Sequence, residues 1–80
     1  MTVGEAVTAR IIQLCQERNI TINKLCTLSG VTQSTVNNVI SGRNHSPTVA
    51  TSHKLCDGLG ITIDEFFHSE YFQTLEQDSE

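Results

Sequence analysis

The stretch 33–41 is dominated by short amide and hydroxyl side chains. If it forms a helix with Val36 and Ile40 turned inward, every outward side chain is polar and uncharged. These outward residues are Gln33, Ser34, Asn37, Asn38 and Ser41. A solvated helix surface is normally rich in Glu, Lys and Arg, which favour helix more than Asn or Ser does. Amides and hydroxyls can hydrogen-bond to base edges in a DNA major groove. The stretch therefore predicts base reading, and the alternative is a neutral helix face without a function.

The residues before this stretch predict a steep turn between two short helices. Thr21 can cap a helix that ends at Gly30, and Thr32 can cap the next, with Val31 placed to hold the new helix to the core. A glycine is free to take the positive φ that so short a turn requires. The second helix then leaves at a steep angle to the first, with its outer face exposed.

Apolar residues recur at helical spacing along most of the chain, and no segment alternates long enough to predict a strand. The first helix is predicted over residues 3–18, and Thr48 and Thr62 can cap two more. Gly58 and Gly60 are expected to end the helix that begins at Thr48. The residues predicted to face the core are Val3, Val7, Ile11, Leu14, Cys15, Ile22, Leu25, Cys26, Leu28, Val36, Val39, Ile40, Val49, Leu55, Cys56, Leu59 and Phe66. The predicted fold class is all-α.

Length and composition predict one small ordered domain. Eighty residues leave room for a single core, and 38% apolar with 18% charged residues is too hydrophobic for a disordered chain. No apolar run approaches the roughly 20 residues that span a bilayer, and the amino terminus lacks the layout of a signal peptide. We therefore expect a soluble, cytoplasmic protein with no membrane partner.

Cysteine and histidine spacing predicts neither a disulfide framework nor a metal site. Cys15, Cys26 and Cys56 are an odd set without a Cys-x-x-Cys pair, and the three histidines do not supply zinc-ligand spacing. The cysteines are expected to be small core residues. No catalytic triad, carboxylate pair or phosphate loop is visible, so neither an enzyme, a cofactor nor a small-molecule ligand is predicted.

Six short stretches agree with one family in residue type and in spacing across four helices. They are Leu25-Cys26, Ser29-Gly30-Val31-Thr32-Gln33-Ser34-Thr35-Val36, Ile40-Ser41-Gly42, Pro47-Thr48-Val49, Leu55-Cys56-Asp57-Gly58-Leu59-Gly60-Ile61 and Asp64-Glu65-Phe66-Phe67. Through them, residues 10–67 resemble the phage-repressor-like helix-turn-helix family, the Cro and lambda repressor type also called the XRE family. The resemblance implies a compact five-helix domain over residues 1–68. It further implies a transcriptional regulator, expected to be a repressor, that places helix 33–41 in the major groove of double-stranded operator DNA.

Carried over residue by residue, the resemblance assigns two sets of DNA contacts. Base readout falls to Gln33, Ser34, Asn37 and Asn38. Phosphate contacts fall to Thr21, Asn23, Thr32, Ser41, Arg43, Asn44 and His45. Two positions depart from the family pattern. Ile22 stands where Gln is common, which puts one polar DNA contact in question. Ser52 stands where an apolar residue is usual, which predicts a looser core or a hydroxyl bonded back to its own helix.

The carboxyl end, residues 69–80, is predicted to be a short acidic extension that could be helical. Apolar side chains continue into it, at Phe67, Tyr71, Phe72 and Leu75. They could fold back on the first helix or form the patch that joins a second protomer. We favour a homodimer, because one reading helix covers only a half-site and two-fold partners read half-sites about 34 Å apart.

The net charge of −4 is unevenly distributed along the chain. Residues 10–56 carry all five basic residues against Glu17 alone, whereas residues 57–80 carry seven acidic residues and no basic one. The acidic total therefore does not exclude DNA, although so few cations predict modest nonspecific affinity. The acidic carboxyl end keeps open an alternative function, an antitoxin-type module of the same fold that binds a toxin protein.

Overall fold

A computed structural model describes residues 3–41 and 48–73, which form six helices and no strand. The helices are α1 (Val3–Glu17), α2 (Ile22–Ser29), α3 (Gln33–Ile40), α4 (Val49–Leu59), α5 (Ile63–Phe67) and α6 (Glu70–Gln73). The predicted all-α fold is confirmed. The last helix lies in the predicted carboxyl extension, while α1 and α3 each end one residue earlier than predicted. Within the described residues, no helix combines the length and the apolar character needed to cross a membrane.

Four threonines begin α2, α3, α4 and α5. Thr21, Thr32, Thr48 and Thr62 each have extended backbone, and each hydroxyl accepts the backbone N–H three residues on. At Thr62 the bond is reciprocal, because a carboxylate oxygen of Glu65 accepts the N–H of Thr62 at 3.1 Å. The caps fix where each short helix begins, and the sequence prediction of these four starts is confirmed.

Glycines shape the helix ends and one helix contact. Gly30 (φ 69°) and Gly60 (φ 73°) close α2 and α4 in the left-handed conformation, as predicted. Gly58 does not end α4 as predicted; it lies inside the helix. A Cβ built on Gly58 would stand 2.9 Å from the N, Cα and Cβ of Ser29. The glycine therefore allows α4 to pack directly against the backbone of α2.

The core is formed by one contiguous cluster from α1 to α5. Its buried members are Val7, Ile11, Leu14, Cys15, Leu25, Cys26, Val36, Val39, Leu55, Cys56, Leu59 and Phe66. Ile22 and Ile40, predicted to face inward, are only half-buried at its edge. Ser52 is buried with them, at the position where the family usually has an apolar side chain.

Three residues predicted to face the core are exposed instead. Val3, Leu28 and Val49 are 43%, 48% and 81% accessible. Val3 and Val49 are the first residues of α1 and α4. Leu28 lies about 200° around α2 from the buried Cys26, so its side chain lies off the inner face although it is hydrophobic.

Candidate nucleic-acid interface

The helix α3 is capped at its amino-terminal end and packed against the core. Thr32 caps its first turn, and the hydroxyl of Thr32 lies 2.8 Å from that of Thr35. Val36 and Val39 are buried on the inner side. Near the last turn, the single hydroxyl proton of Thr8 in α1 lies within reach of two carbonyl oxygens, Val39 at 3.1 Å and Gly4 at 3.0 Å. The helix is thus fixed to α1 by packing and by a hydrogen bond.

The outer side of α3 carries the residues predicted to read bases. Gln33, Ser34, Asn37 and Asn38 are all exposed. Within the described residues, none of the three carboxamides is engaged in a hydrogen bond. Each amide group can therefore still donate through nitrogen and accept through oxygen, which are the two groups that bidentate base contacts require.

The residues predicted to contact phosphate differ in whether their hydroxyl and N–H groups are still free to donate a hydrogen bond. The Thr21 hydroxyl accepts the N–H of Lys24 at 3.0 Å but keeps its own proton available. The first backbone N–H groups of α2, at Ile22 and Asn23, have no partner inside the helix. Ser41, by contrast, donates its hydroxyl to the carbonyl of Asn38 at 3.2 Å and its N–H to Asn37. A phosphate contact at Ser41 would need that hydroxyl to turn away.

The remaining predicted phosphate contacts, Arg43, Asn44 and His45, lie outside the described residues. Ile22, where the family commonly has Gln, is half-buried against the core cluster. Its side chain contributes apolar packing there, in place of the amide that the family commonly presents.

Two arginines are committed to the fold. Arg10 donates from Nε to the carbonyl of Phe66 at 2.8 Å, from Nη2 to that of Glu65 at 2.7 Å, and from Nη1 to the side chain of Gln13 at 2.7 Å. Arg18 donates from Nε to the carbonyl of Leu59 at 3.2 Å. Each guanidinium thus satisfies carbonyl groups at a helix carboxyl end, that of α5 for Arg10 and that of α4 for Arg18.

The two arginine caps reduce the number of cations that are free to contact phosphate. Residues 10–56 do contain all five basic residues, but two of them, Arg10 and Arg18, cap helices. Within the described residues, Lys24 and Lys54 are exposed and make no ion pair. The arginine caps carry no local sequence signal, because the bonded residues are 41 to 56 positions apart.

The aromatic rings of α5 and α6 contact one another. Phe67 and Phe72 stack edge to face at 4.9 Å between centroids, and Phe66 meets Phe67 at 5.0 Å. Phe72 packs against the core, whereas Phe67 remains 38% exposed. Of the two predicted roles, folding back is therefore realised by Phe72. Tyr71 is half-buried, and Leu75 lies outside the described residues.

The three cysteines are buried and free, which confirms their prediction as small core residues. Burial raises the pKa of all three thiols above the ordinary value, and for Cys56 the nearby carboxylates of Asp57 and Glu65 raise it further. Thiols in this state are poor nucleophiles.

Comparison with known proteins places this arrangement in a family. The family described as Helix-turn-helix matches residues 11–66. The chain belongs to this helix-turn-helix family. Its fold is similar to the crystal structure of the prophage Lp1 protein 11, with a TM-score of 0.83 and 39% sequence identity over 94% of this chain and 99% of that one. No curated protein gives a significant match. The resemblance to phage-repressor-like domains is confirmed, and this helix-turn-helix domain is a DNA-binding regulator of the XRE type.

Proposed function

We propose that this helix-turn-helix domain binds a specific double-stranded operator with α3 in the major groove and acts there as a transcriptional repressor. The observation that carries the proposal is the exposed carboxamide set Gln33, Asn37 and Asn38, which makes no hydrogen bond within the described residues and lies on a helix that is packed against the core and hydrogen-bonded to α1. A helix that is already ordered loses little further backbone entropy when its side chains meet base edges.

Phosphate contacts orient α3 without reading sequence. The Thr21 hydroxyl and the free N–H groups that follow it can meet one phosphate at the positive end of the α2 dipole. The exposed side chain of Asn23 stands beside them. The other phosphate contacts are assigned to Thr32, Ser41, Arg43, Asn44 and His45, whereas Ser34 is assigned to base readout.

The small number of available cations favours selective DNA binding over tight DNA binding. Because Arg10 and Arg18 donate to helix carbonyls, fewer cations remain to release counterions from DNA. Nonspecific affinity is then modest, and base contacts must supply most of the discrimination. Occupation of the groove is enough to exclude another protein from the same DNA, which is what repression requires.

The domain acts on DNA as a homodimer in this proposal, since a single α3 covers one half-site. We assign Phe67, which is 38% exposed, to the partner protomer, together with Tyr71, Phe72 and Leu75. Sedimentation should show a dimer on operator DNA at tens of micromolar. A monomer under those conditions, both free and on DNA, would remove this part of the proposal.

An unbiased selection of bound duplexes from a random pool tests the function itself. We expect one enriched motif, with two inverted copies if the dimer is correct. Arg43→Ala should weaken binding to all sequences alike and reduce the salt slope by about one unit. A pool that shows no enrichment would contradict sequence-specific binding and favour the antitoxin-type alternative, in which the main partner is a protein.

A further inference from the structure

A side-chain hydrogen bond from α1 reaches the last turn of α3. The hydroxyl oxygen of Thr8 lies 3.1 Å from the carbonyl oxygen of Val39. Within the described residues, the other hydrogen bonds of residues 32–41 join members of that stretch to one another. Thr8 therefore adds a polar contact from another helix to the apolar packing of Val36 and Val39.

The Thr8 hydroxyl has one proton and two carbonyl oxygens within reach, and the carbonyl of Val39 needs it more. The Gly4 carbonyl, 3.0 Å away, already accepts the backbone N–H of Thr8 inside α1. The Val39 carbonyl is among the last four of α3, which have no α-helical N–H partner. It shares the N–H of Ser41 with the Asn37 carbonyl, which accepts that N–H at 2.8 Å. Because Val39 is buried, the loss of a donor there costs free energy.

The helix that carries Thr8 is itself fixed in the fold. Val7 and Ile11, which flank Thr8 in α1, are both buried in the core cluster. Arg10 donates to two carbonyl groups at the carboxyl end of α5. A hydrogen bond from Thr8 therefore restrains α3 relative to the rest of the domain.

A restraint at Val39 acts on the exposed polar side chains of α3. Gln33 lies six residues before Val39, which is about 9 Å along the helix axis. A tilt of about 10° about Val39 would move Gln33 by about 1.5 Å, whereas binding groups must be held within about 0.5 Å of their productive positions. A small tilt of α3 would therefore misplace the side chains to which DNA contacts are assigned.

We propose that Thr8 is a positioning residue for DNA binding, whose hydroxyl holds α3 at the tilt that specific binding requires. This inference rests on the proposed function and extends it to a residue of α1 to which no DNA contact is assigned. Loss of the bond shifts the population of correctly tilted α3 by no more than the free energy of the bond itself. For a hydrogen bond of ordinary strength, that limit corresponds to about 2- to 12-fold in specific affinity.

The test compares two affinities of the full chain, one for the operator selected from a random duplex pool and one for a duplex of unrelated sequence. Wild type, Thr8→Val and Thr8→Ser are measured. Incomplete folding lowers both apparent affinities by the same factor, so their ratio reports the position of α3 and not the stability of the domain. We expect Thr8→Val to lower this ratio by about 2- to 12-fold. Thr8→Ser keeps the hydroxyl and should restore the ratio.

Two control variants separate positioning from stability. Cys56→Ala removes a buried side chain of α4 from the same core cluster, and it should lower the free energy of unfolding without changing the ratio. Gln16→Ala, at an exposed position of α1, should match wild type in both measurements. A wild-type ratio in Thr8→Val, or an equal fall of the ratio in Cys56→Ala, would overturn the positioning role.

The hydrogen bond itself is tested by the carbon NMR shift of the Val39 carbonyl. We expect this shift to change in Thr8→Val and to stay near the wild-type value in Thr8→Ser. A shift that is the same in all three proteins would overturn the bond on which the positioning role depends. A random pool without any enriched motif would instead overturn the proposed function, whatever the state of the hydrogen bond.

Discussion

Replacement of Gly58 by Ala should destabilise the domain although alanine is the better helix former. Alanine gains up to about 1 kcal/mol over glycine inside a helix. In α4, however, the added Cβ would stand 2.9 Å from the N, Cα and Cβ of Ser29, where about 3.5–4.0 Å is the favourable separation. Two of those three atoms are backbone, so α2 has to move as a unit. Overpacking of this kind costs about 1–3 kcal/mol.

The difference predicts a net loss of about 1 kcal/mol from Gly58→Ala, or a fall of about 4–8 °C in Tm for a domain of this size. Urea denaturation followed by circular dichroism measures the free energy of unfolding. Gly60→Ala is the matched control, because Gly60 has φ 73° and its added Cβ would meet no atom within 4 Å. That variant should lose stability through backbone strain alone. A Gly58→Ala protein more stable than wild type would refute the close packing of α4 on α2.

Three further perturbations test the contacts that support the site. Thr8→Val removes the hydroxyl within reach of the Val39 carbonyl and should lower the free energy of unfolding, measured by urea denaturation, by about 0.5–1.5 kcal/mol. Thr8→Ser keeps the hydroxyl and should retain most of that stability. Equal stability of the two variants would contradict the hydrogen bond. Arg10→Gln should lower the free energy of unfolding by about 1.5–3 kcal/mol, because it removes the hydrogen bonds to the α5 carbonyls. It should leave the salt dependence of DNA binding unchanged. A weaker salt dependence would mean that Arg10 contacts phosphate instead. The three thiols should react with a disulfide reagent only after unfolding. Burial raises the pKa of these thiols in the folded state, so the unfolded chain loses the thiol protons first as pH rises. The free energy of unfolding should therefore fall as pH rises above about 8.5. A free energy of unfolding that does not change there would contradict the raised thiol pKa.

Much of this fold could be predicted from sequence because its signals are local. Each of the four capping threonines acts on a backbone N–H three residues away, so type and spacing alone locate the helix starts. The outer face of α3 could be predicted for the same reason, from the period of Val36 and Ile40. Leu28 shows where such local signals fail. Its hydrophobic side chain predicts a core position, but it lies on the flank of α2 and is exposed.

The features that could not be predicted depend on distant parts of the chain. The sequence predicts a helix end at Gly58 because glycine is common there, but its contact is with Ser29, in another helix. Arg10 and Arg18 belong to the basic segment 10–56, but they cap α5 and α4 through carbonyl groups 41 to 56 residues away. Contacts of this kind follow from how the helices pack, and no spacing rule describes them.

Base reading by α3 is the central claim, and a specificity profile of Gln33→Ala tests it most directly. Affinities of wild type, Gln33→Ala and Gln16→Ala are measured on the selected operator and on all its single-base variants. We predict that Gln33→Ala loses about 1–3 kcal/mol on the operator and relaxes the preference at one base position, while Gln16→Ala matches wild type. If Gln33→Ala bound every sequence as wild type does, α3 would not be the reading helix.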